Sequence, residues 1–573
     1  MIKKIFNILN SKEKIKIITI FFLIVVSSLF ELLGIGILYP FLTILFDGDF
    51  LTNEYYTKYL SQYNLSRNQI LNYSLLIILA IYISKNFFVF FTKWSIQSFG
   101  KKFRIRIFKD LTTKYLFTPY EQILRVTTES VLKKINFAME FSSTIIHLLT
   151  LVSEILVLSF ILILLFMINI KITTLVLSFF TILSLFIYLI SKKRLSFFGK
   201  KVLEHYQNLS KHLLQSIGGI KEIKILGRQK FFFNKMSKIQ ILDSEFRFKT
   251  GLMLQIPSHI IEICSIAFIL CVIFFLTQSD FSNIQIISIV GIYVVSFTRL
   301  MPSSTRILAA LQNIKYNYPV VQMLEEELKN IDVSHLQKKY HLKNKTGKEI
   351  KFKRNIELKN IFFKYDKKKN YVLKKLNLKI NFGNIIGVYG KSGCGKSTLS
   401  EIIIGLLKPQ GGEMLIDSVS AHSNIESWHK KIGVVSQNPY FLNDTIKNNI
   451  TFGFSSKNIS EKRIKNVIKQ TQLEEVVKGL PNKINTIIGE RGITLSGGQL
   501  QRLALARALY SGSKLLILDE ATNALDETNE ESIFKLINKF RKKITIIIIS
   551  HKISNFKYCD FVYNFQNGSL KKI

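Results

Sequence analysis

The sequence predicts two kinds of domain in one chain. An all-α polytopic membrane domain with six transmembrane helices is followed by an α/β domain around a phosphate-binding loop. Three observations carry that expectation. Apolar stretches long enough to cross a bilayer recur from about residue 17 to residue 311 and then stop. The loops between them alternate between strongly basic and nearly uncharged. From about residue 356, short β-like runs alternate with helix-like ones, and one junction is a glycine-rich turn ending in Lys-Ser-Thr. At 573 residues the chain exceeds one compact domain. Hydrophobic residues make up 48% of it, yet Lys and Arg outnumber Asp and Glu by 79 to 39, for a net charge of +40. Both facts hold only if greasy and basic segments are segregated, so the charge reads as membrane topology and not as a nucleic-acid surface. The four cysteines, Cys264, Cys271, Cys394 and Cys559, have neither metal-ligand nor disulfide-framework spacing.

The membrane domain is expected over residues 1–325. A basic run to Lys16 precedes the first apolar stretch, at roughly 17–46. That stretch is longer than a signal-peptide core and shows no small-residue cleavage site, so it reads as a short interfacial helix followed by a retained span. Further spans fall at about 69–91, 137–168, 172–191, 253–276 and 285–311, the third and fourth joined tightly at Asn169-Ile170-Lys171. Segments 92–135 and 192–250 are rich in Lys and Arg, whereas 47–67, 169–171 and 277–284 carry only Lys58, Arg67 and Lys171. The positive-inside rule then puts both basic segments and both termini in the cytoplasm. Each basic segment is helix-compatible with an irregular turn at its middle, Thr118-Pro119-Tyr120 in one and Ser216-Ile217-Gly218-Gly219 in the other. Helices are therefore expected to run below the membrane and reverse there, where the turns could touch a cytoplasmic domain.

A linker rich in Lys, Glu and Asn is expected over 326–355, and the α/β domain over 356–573. Its expected strands are Ile356–Phe363, Ile385–Tyr389, Ile432–Ser436, Leu515–Leu518 and Ile544–Ile549. Directly after the second comes Gly390-Lys391-Ser392-Gly393-Cys394-Gly395-Lys396-Ser397-Thr398, and then the helix-like run Leu399–Leu407. Glycines let the backbone curl so that successive N–H groups face a phosphate chain, and the helix N-terminus adds partial positive charge. In this pattern Lys396 reaches the β- and γ-phosphates of ATP, and the Ser397 hydroxyl ligates Mg²⁺. Leu515-Leu516-Ile517-Leu518-Asp519-Glu520 ends a buried strand in two carboxylates. Asp519 is suited to the Mg²⁺ shell and Glu520 to polarising an attacking water.

Between these motifs lies Leu495-Ser496-Gly497-Gly498-Gln499, followed by the helical run Leu500–Tyr510. This pentapeptide resembles the signature of ABC ATPases, and the likeness spans the C-terminal third. The resemblance implies further roles in order. Tyr365 sits where such proteins stack an aromatic on adenine. Gln437 looks like the glutamine that bridges Mg²⁺ and the membrane domain. Gly489-Glu490-Arg491-Gly492 resembles an exporter-type loop that contacts the membrane helices. Ala524-Leu525-Asp526 resembles the loop that crosses to a partner subunit, and His551 the switch histidine at the γ-phosphate. In this family the signature of one ATPase domain closes over ATP held by the phosphate loop of another. With one copy of each motif, the chain is expected to be a half-transporter that works as a homodimer with two shared ATP sites; a heterodimer with a different chain is the alternative, which the intact motifs disfavour.

Cargo has to be read from the membrane half. Ionisable residues inside spans are costly and therefore informative. They include Glu31, Lys85, His147, Glu154, His259, Glu262, Arg299 and Arg306. Arg299 and Arg306 are two helical turns apart and share one face, with Pro302 between them. Two guanidinium groups, with Lys85 as a third cation, suit a phosphate-bearing substrate. The alternative is that the arginines pair with Glu31, Glu154 or Glu262 and steady the helix packing. The stretches Glu31–Phe41 and Arg299–Ile307 resemble those of bacterial lipid-linked oligosaccharide flippases, and Phe50–Tyr63 has the moderate amphipathicity of that group's small external helix. That resemblance implies movement of a polyprenyl-diphosphate-linked glycan from the cytoplasmic to the outer leaflet of the bacterial cytoplasmic membrane. An exporter of lipid A, drugs or peptides, or an ATP-gated channel, is the alternative.

Overall fold

The computed structural model describes residues 2–37, 41, 67–278, 283–329, 349–365, 370–489, 495–521 and 527–573. The expected external segment 47–67 and most of the expected linker lie outside them. So do most of the loop at Gly489–Gly492 and the whole of Ala524–Asp526. By internal packing the chain divides into two units: Met1–Phe117 with Val126–Val333, and Thr118–Arg125 with Ser334–Ile573.

The first unit is helical. After a short helix, Ile2–Ile8, come long ones at Ser11–Gly36, Arg67–Phe117, Thr128–Ile168, Ile170–Gly218, Gln229–Thr277 and Asn283–Tyr316. The first five of these long helices are, among the described residues, long and apolar enough to cross a membrane. The sixth expected span lies on Asn283–Tyr316. Several run far past their apolar stretch. Arg67–Phe117 has 51 residues, about 75 Å at 1.5 Å per residue and more than twice the hydrocarbon thickness. Its lower half keeps helix-forming Lys, Arg, Leu and Phe with no interruption until Thr118-Pro119, where the residue before proline is driven out of the helical region. Asn169 accepts from the Ile172 N–H at 3.1 Å and so starts the next long helix one residue after the last one ends. One apolar core gathers Ile20, Phe99, Phe103, Phe141, Val202 and Val321; a second gathers Ile161, Leu165, Phe180, Ile261, Phe297 and Leu300. On the outside, Phe22, Ile83, Phe90, Ile182 and Ile263 are more than half exposed. A surface so apolar calls for lipid.

The second unit carries two sheets. Asn355–Phe363 (β1), Leu373–Asn381 (β2), Gly411–Ile416 (β4) and Val419–Ser420 (β5) form an antiparallel sheet in the order β2-β1-β4-β5. The other sheet combines Ile385–Tyr389 (β3), Ile432–Val435 (β6), Leu515–Asp519 (β7), Thr545–Ser550 (β8), Phe561–Gln566 (β9) and Ser569–Lys572 (β10). Its order is β10-β9-β3-β8-β7-β6, parallel from β9 to β6. β3, β7 and β8 are buried over nearly their whole length, which is why they read as unbroken apolar runs and not as alternating ones. The expected strands are all here, and β2, β4, β5, β9 and β10 are additional. With β8 between β3 and β7, the strand ends at Tyr389, Ser550 and Asp519 lie side by side. Ligands of open α/β sheets bind along that carboxyl edge.

Candidate functional site

The phosphate loop leaves β3 and leads into the helix Lys396–Ile404. Gly395 stands at φ +116, and a Cβ there would lie 2.9 Å from Val372 Cγ1, so only glycine fits this turn. Lys396 is 5% exposed, and its Nζ donates to the loop's own carbonyls, Gly390 O at 2.8 Å and Lys391 O at 2.9 Å. Those bonds fold the lysine over the loop and hold its charge at the cavity wall. Glu520 Oε1 is 3.9 Å from Lys396 Nζ and 3.9 Å from His551 Nδ1. Glu520 itself has φ +50, and its N–H donates to Ile549 O at 3.0 Å. A left-handed non-glycine residue just past a buried strand is the kind of strain that clusters at functional sites.

Lys396 and Glu520 face one cavity of about 380 Å³, lined by Tyr365, Val372, Ser392, Gly393, Gly395, Lys396, Ser397, Thr398, Gln437, Asp519 and Glu520, whereas His551 reaches Glu520 without lining it. Four separated stretches of sequence thus converge on one space. The Tyr365 hydroxyl is 3.0 Å from Thr398 Oγ1 and donates to Glu401 Oε2 at 3.3 Å. Burial, and then the adjoining Glu520 carboxylate, push the Asp519 carboxyl above its ordinary value. A cation in the cavity would relieve that conflict of charge by favouring the ionised form. Ser397, Gln437 and Asp519 offer it hard oxygen donors; Mg²⁺ needs few of these beside nucleotide phosphates and water.

The other expected site residues are placed differently. Gly390, Lys391 and Cys394 belong to the loop but do not line the cavity. Ser496 caps the helix Gly497–Tyr510: its Oγ accepts from the Gln499 N–H at 3.4 Å, and Gln499 Oε1 accepts from the Ser496 N–H at 3.0 Å. Ser496, Gly497, Gly498 and Gln499 are absent from the cavity of their own chain. Asp526 lies outside the described residues. Sequence reading missed Val372, Glu401 and Gln501, whose Nε2 donates to Gln437 O at 3.1 Å. Glu401 was open to discovery, since it lies three residues, about one turn, beyond Thr398. Gln501 was not. The turn Thr118–Arg125 groups with this unit, and Arg125 donates to Tyr365 O at 2.9 Å.

In the membrane unit, Lys85 is 1% exposed, with its Nζ 4.6 Å from the Tyr82 ring centroid and Arg299 and Glu31 as charged neighbours. Arg299 lies 3.9 Å from Glu31, and Arg306 lies 2.9 Å from Glu154. The cations thus have the carboxylate partners that the packing alternative requires, Glu262 excepted.

The described sequence matches two family models, "ABC transporter" over residues 373–523 and "ABC transporter transmembrane region" over 17–304. It is 30% identical over 515 residues to an ATP-dependent lipid A-core flippase of Wigglesworthia glossinidia brevipalpis, spanning 88% of this chain and 86% of that one. Against the ATP-dependent lipid A-core flippase of Pseudoalteromonas translucida (strain TAC 125), identity is 28% over 513 residues, 87% of this chain and 85% of that one. Its fold matches the structure of a bacterial Atm1-family ABC exporter with ATP bound, at a TM-score of 0.75 and 17% identity, covering 98% of this chain and 95% of the other. The chain belongs to the ABC transporter family, as an exporter-type half-transporter whose ATPase domain couples ATP hydrolysis to transport.

Proposed function

We propose that the protein is an ATP-driven flippase that carries a polyprenyl-diphosphate-linked oligosaccharide from the cytoplasmic to the outer leaflet of a bacterial cytoplasmic membrane. It works as a homodimer with both termini in the cytoplasm. The observation that carries the cargo assignment is the group Lys85, Arg299 and Arg306 on membrane helices. Arg306 is 41% exposed and Arg299 35%, and the Arg299–Glu31 pair is open at 3.9 Å. A diphosphate accepts bidentate guanidinium bonds better than a carboxylate at that distance, so it can take over from Glu31. The similarity along most of the chain to proteins named lipid A-core flippases favours a second reading, a lipid A type of cargo.

At the nucleotide, the phosphate-loop N–H groups and Lys396 hold the β- and γ-phosphates, and Tyr365 stacks on adenine. Ser397 and Asp519, with Gln437 beside them, would hold Mg²⁺, which would supply charge neutralisation at the phosphates. Glu520 orients the attacking water, and His551 contacts the γ-phosphate. Ser496–Gln499 and Asp526 serve the partner's nucleotide. Closing that interface turns the membrane halves outward, and hydrolysis resets them.

The test replaces both arginines, Arg299→Gln with Arg306→Gln, and follows a polyprenyl-diphosphate glycan in proteoliposomes alongside basal ATP turnover. Flipping should fall by about tenfold or more while turnover changes little, as expected for lost phosphate contacts. Equal loss of both would assign the arginines to packing.

A further inference from the structure

A cavity of about 910 Å³ in the membrane unit is lined by neither Arg299 nor Arg306. Its walls are the helix Ile170–Gly218, the end of Asn283–Tyr316 and the following helix Tyr318–Lys329. Lys192, Lys193, Lys200 and Lys315 line it, against one carboxylate, Glu326. Nearby lysines are spoken for: Lys201 pairs with Glu204 at 3.0 Å, and Lys329 with Glu325 at 2.9 Å. None of the four cavity lysines forms an ion pair with a described carboxylate. The described structure therefore gathers four cations around one space, Lys193 and Lys200 exposed and Lys192 and Lys315 half-buried, a local positive field that attracts an anion.

Depth identifies the occupant. From Ile170 to Lys192 the helix rises about 33 Å, close to the thickness of the hydrocarbon core. Lys192 and Lys193 therefore sit at headgroup level, and Lys200 lies roughly 12 Å beyond. Tyr188 lines the same wall one turn earlier, in the position of an interfacial aromatic, with Lys192 Nζ 5.9 Å from its ring. Across the cavity, Lys315 Nζ is 6.0 Å from the Tyr318 ring. The floor is closely built, since a Cβ on buried Gly199 would lie 2.0 Å from Tyr316 O. Tyr188 on the bilayer side followed by cations at headgroup depth matches the phosphate head of a lipid whose stem stays in the leaflet.

We infer that this cavity is a headgroup site for a phosphate-bearing lipid of the adjoining leaflet. The site is separate from the arginine cluster proposed to receive cargo, and it rests only on the membrane fold. A resident anionic phospholipid and the transported lipid share the phosphate chemistry.

Equilibrium binding to the full chain in detergent tests the inference, with phosphatidylglycerol, phosphatidylcholine and a short polyprenyl diphosphate as probes. The variant is Lys192→Gln, Lys193→Gln, Lys200→Gln and Lys315→Gln combined, with Lys201→Gln as a control outside the cavity. Wild type and the control should hold at least one of the two anionic probes, phosphatidylglycerol or the polyprenyl diphosphate, about tenfold more tightly than the fourfold variant, with net-neutral phosphatidylcholine little changed, as lost lysine contacts at an anionic lipid headgroup would give. Loss of phosphatidylglycerol identifies a resident lipid, and loss of the polyprenyl diphosphate alone identifies cargo. Unchanged binding of both in a variant of unaltered melting temperature overturns the site. So does equal protection of the four lysines from amine labelling in lipid-free dimer, which would mean that a second copy covers them.

Discussion

Two regions of this molecule hold cations in opposite ways. In the ATPase unit, Lys396 is tied to carbonyls of its own loop at 2.8 and 2.9 Å, with Glu520 further off at 3.9 Å and an open cavity in front. Neutral carbonyls orient the charge without cancelling it. In the membrane unit, Arg306 meets a carboxylate at 2.9 Å, and Arg299 meets another at 3.9 Å. Each of those charges is partly cancelled before any substrate arrives. The first arrangement is ready for an anion, and the second, under the proposed cargo, would exchange one anion for another. Under that proposal, binding in the membrane is reversible at low cost, as a carrier that releases its cargo requires.

Removing the uncancelled charge should hurt most. Lys396→Ala, or Glu520→Gln on the hydrolytic side, should lower ATP turnover by at least about a hundredfold, the scale of losing a transition-state contact. Near-normal turnover in either would remove the residue from the site. A smaller change of opposite sign is expected in the membrane. Glu154→Gln leaves Arg306 without its competing carboxylate, so affinity for a diphosphate lipid should rise by roughly a fewfold. A fall in affinity together with a lower melting temperature would mean that the pair serves packing.

The smallest effect concerns a carboxylate that binds nothing mobile. Glu327 accepts from Lys134 at 2.7 Å and from the Tyr115 hydroxyl at 2.9 Å, and it lies 2.7 Å from Lys114. Burial alone would raise its carboxyl, but the bonds from Lys114 and Lys134 outweigh that and hold it at about 2, against an ordinary value of 4.5. A carboxylate held low stabilises the fold fully above its unfolded value and loses that contribution as pH falls through the folded one. The melting temperature of Glu327→Gln should therefore lie a few degrees below wild type at neutral pH, and the gap should close between 4.5 and about 2. A gap independent of pH would assign the effect to shape and not to charge.

Most of the ATP site was legible because each motif is contiguous and sits on a strand end or turn, where backbone geometry dictates residue type. The parallel strands announced themselves as apolar runs. Hydropathy likewise located the spans but not their true ends, because below the apolar stretch the helix persists on residues whose charge hides the continuity; 69–91 became Arg67–Phe117. What stayed hidden depends on register between distant elements. Nothing in the sequence chose Glu154 over Glu262 as the partner of Arg306, and while two turns are expected to reach a cytoplasmic domain, nothing marked Thr118–Arg125 as the one that groups with the ATPase unit. The basic cavity was invisible too, since Lys192 and Lys315 meet only through helix packing.

The signature Ser496–Gln499 does not line the cavity of its own chain, and the proposed homodimer puts it over the partner's nucleotide, so that two copies share each ATP site. Mixing chains tests it directly. Lys396→Ala and Ser496→Arg chains are each expected to be inactive alone, because every site then lacks one half. Co-assembled in equal amounts, they should recover roughly a quarter of wild-type ATP turnover, since half of the dimers are mixed and each mixed dimer keeps one complete site. Turnover no higher than that of the two variants measured separately would contradict a shared site.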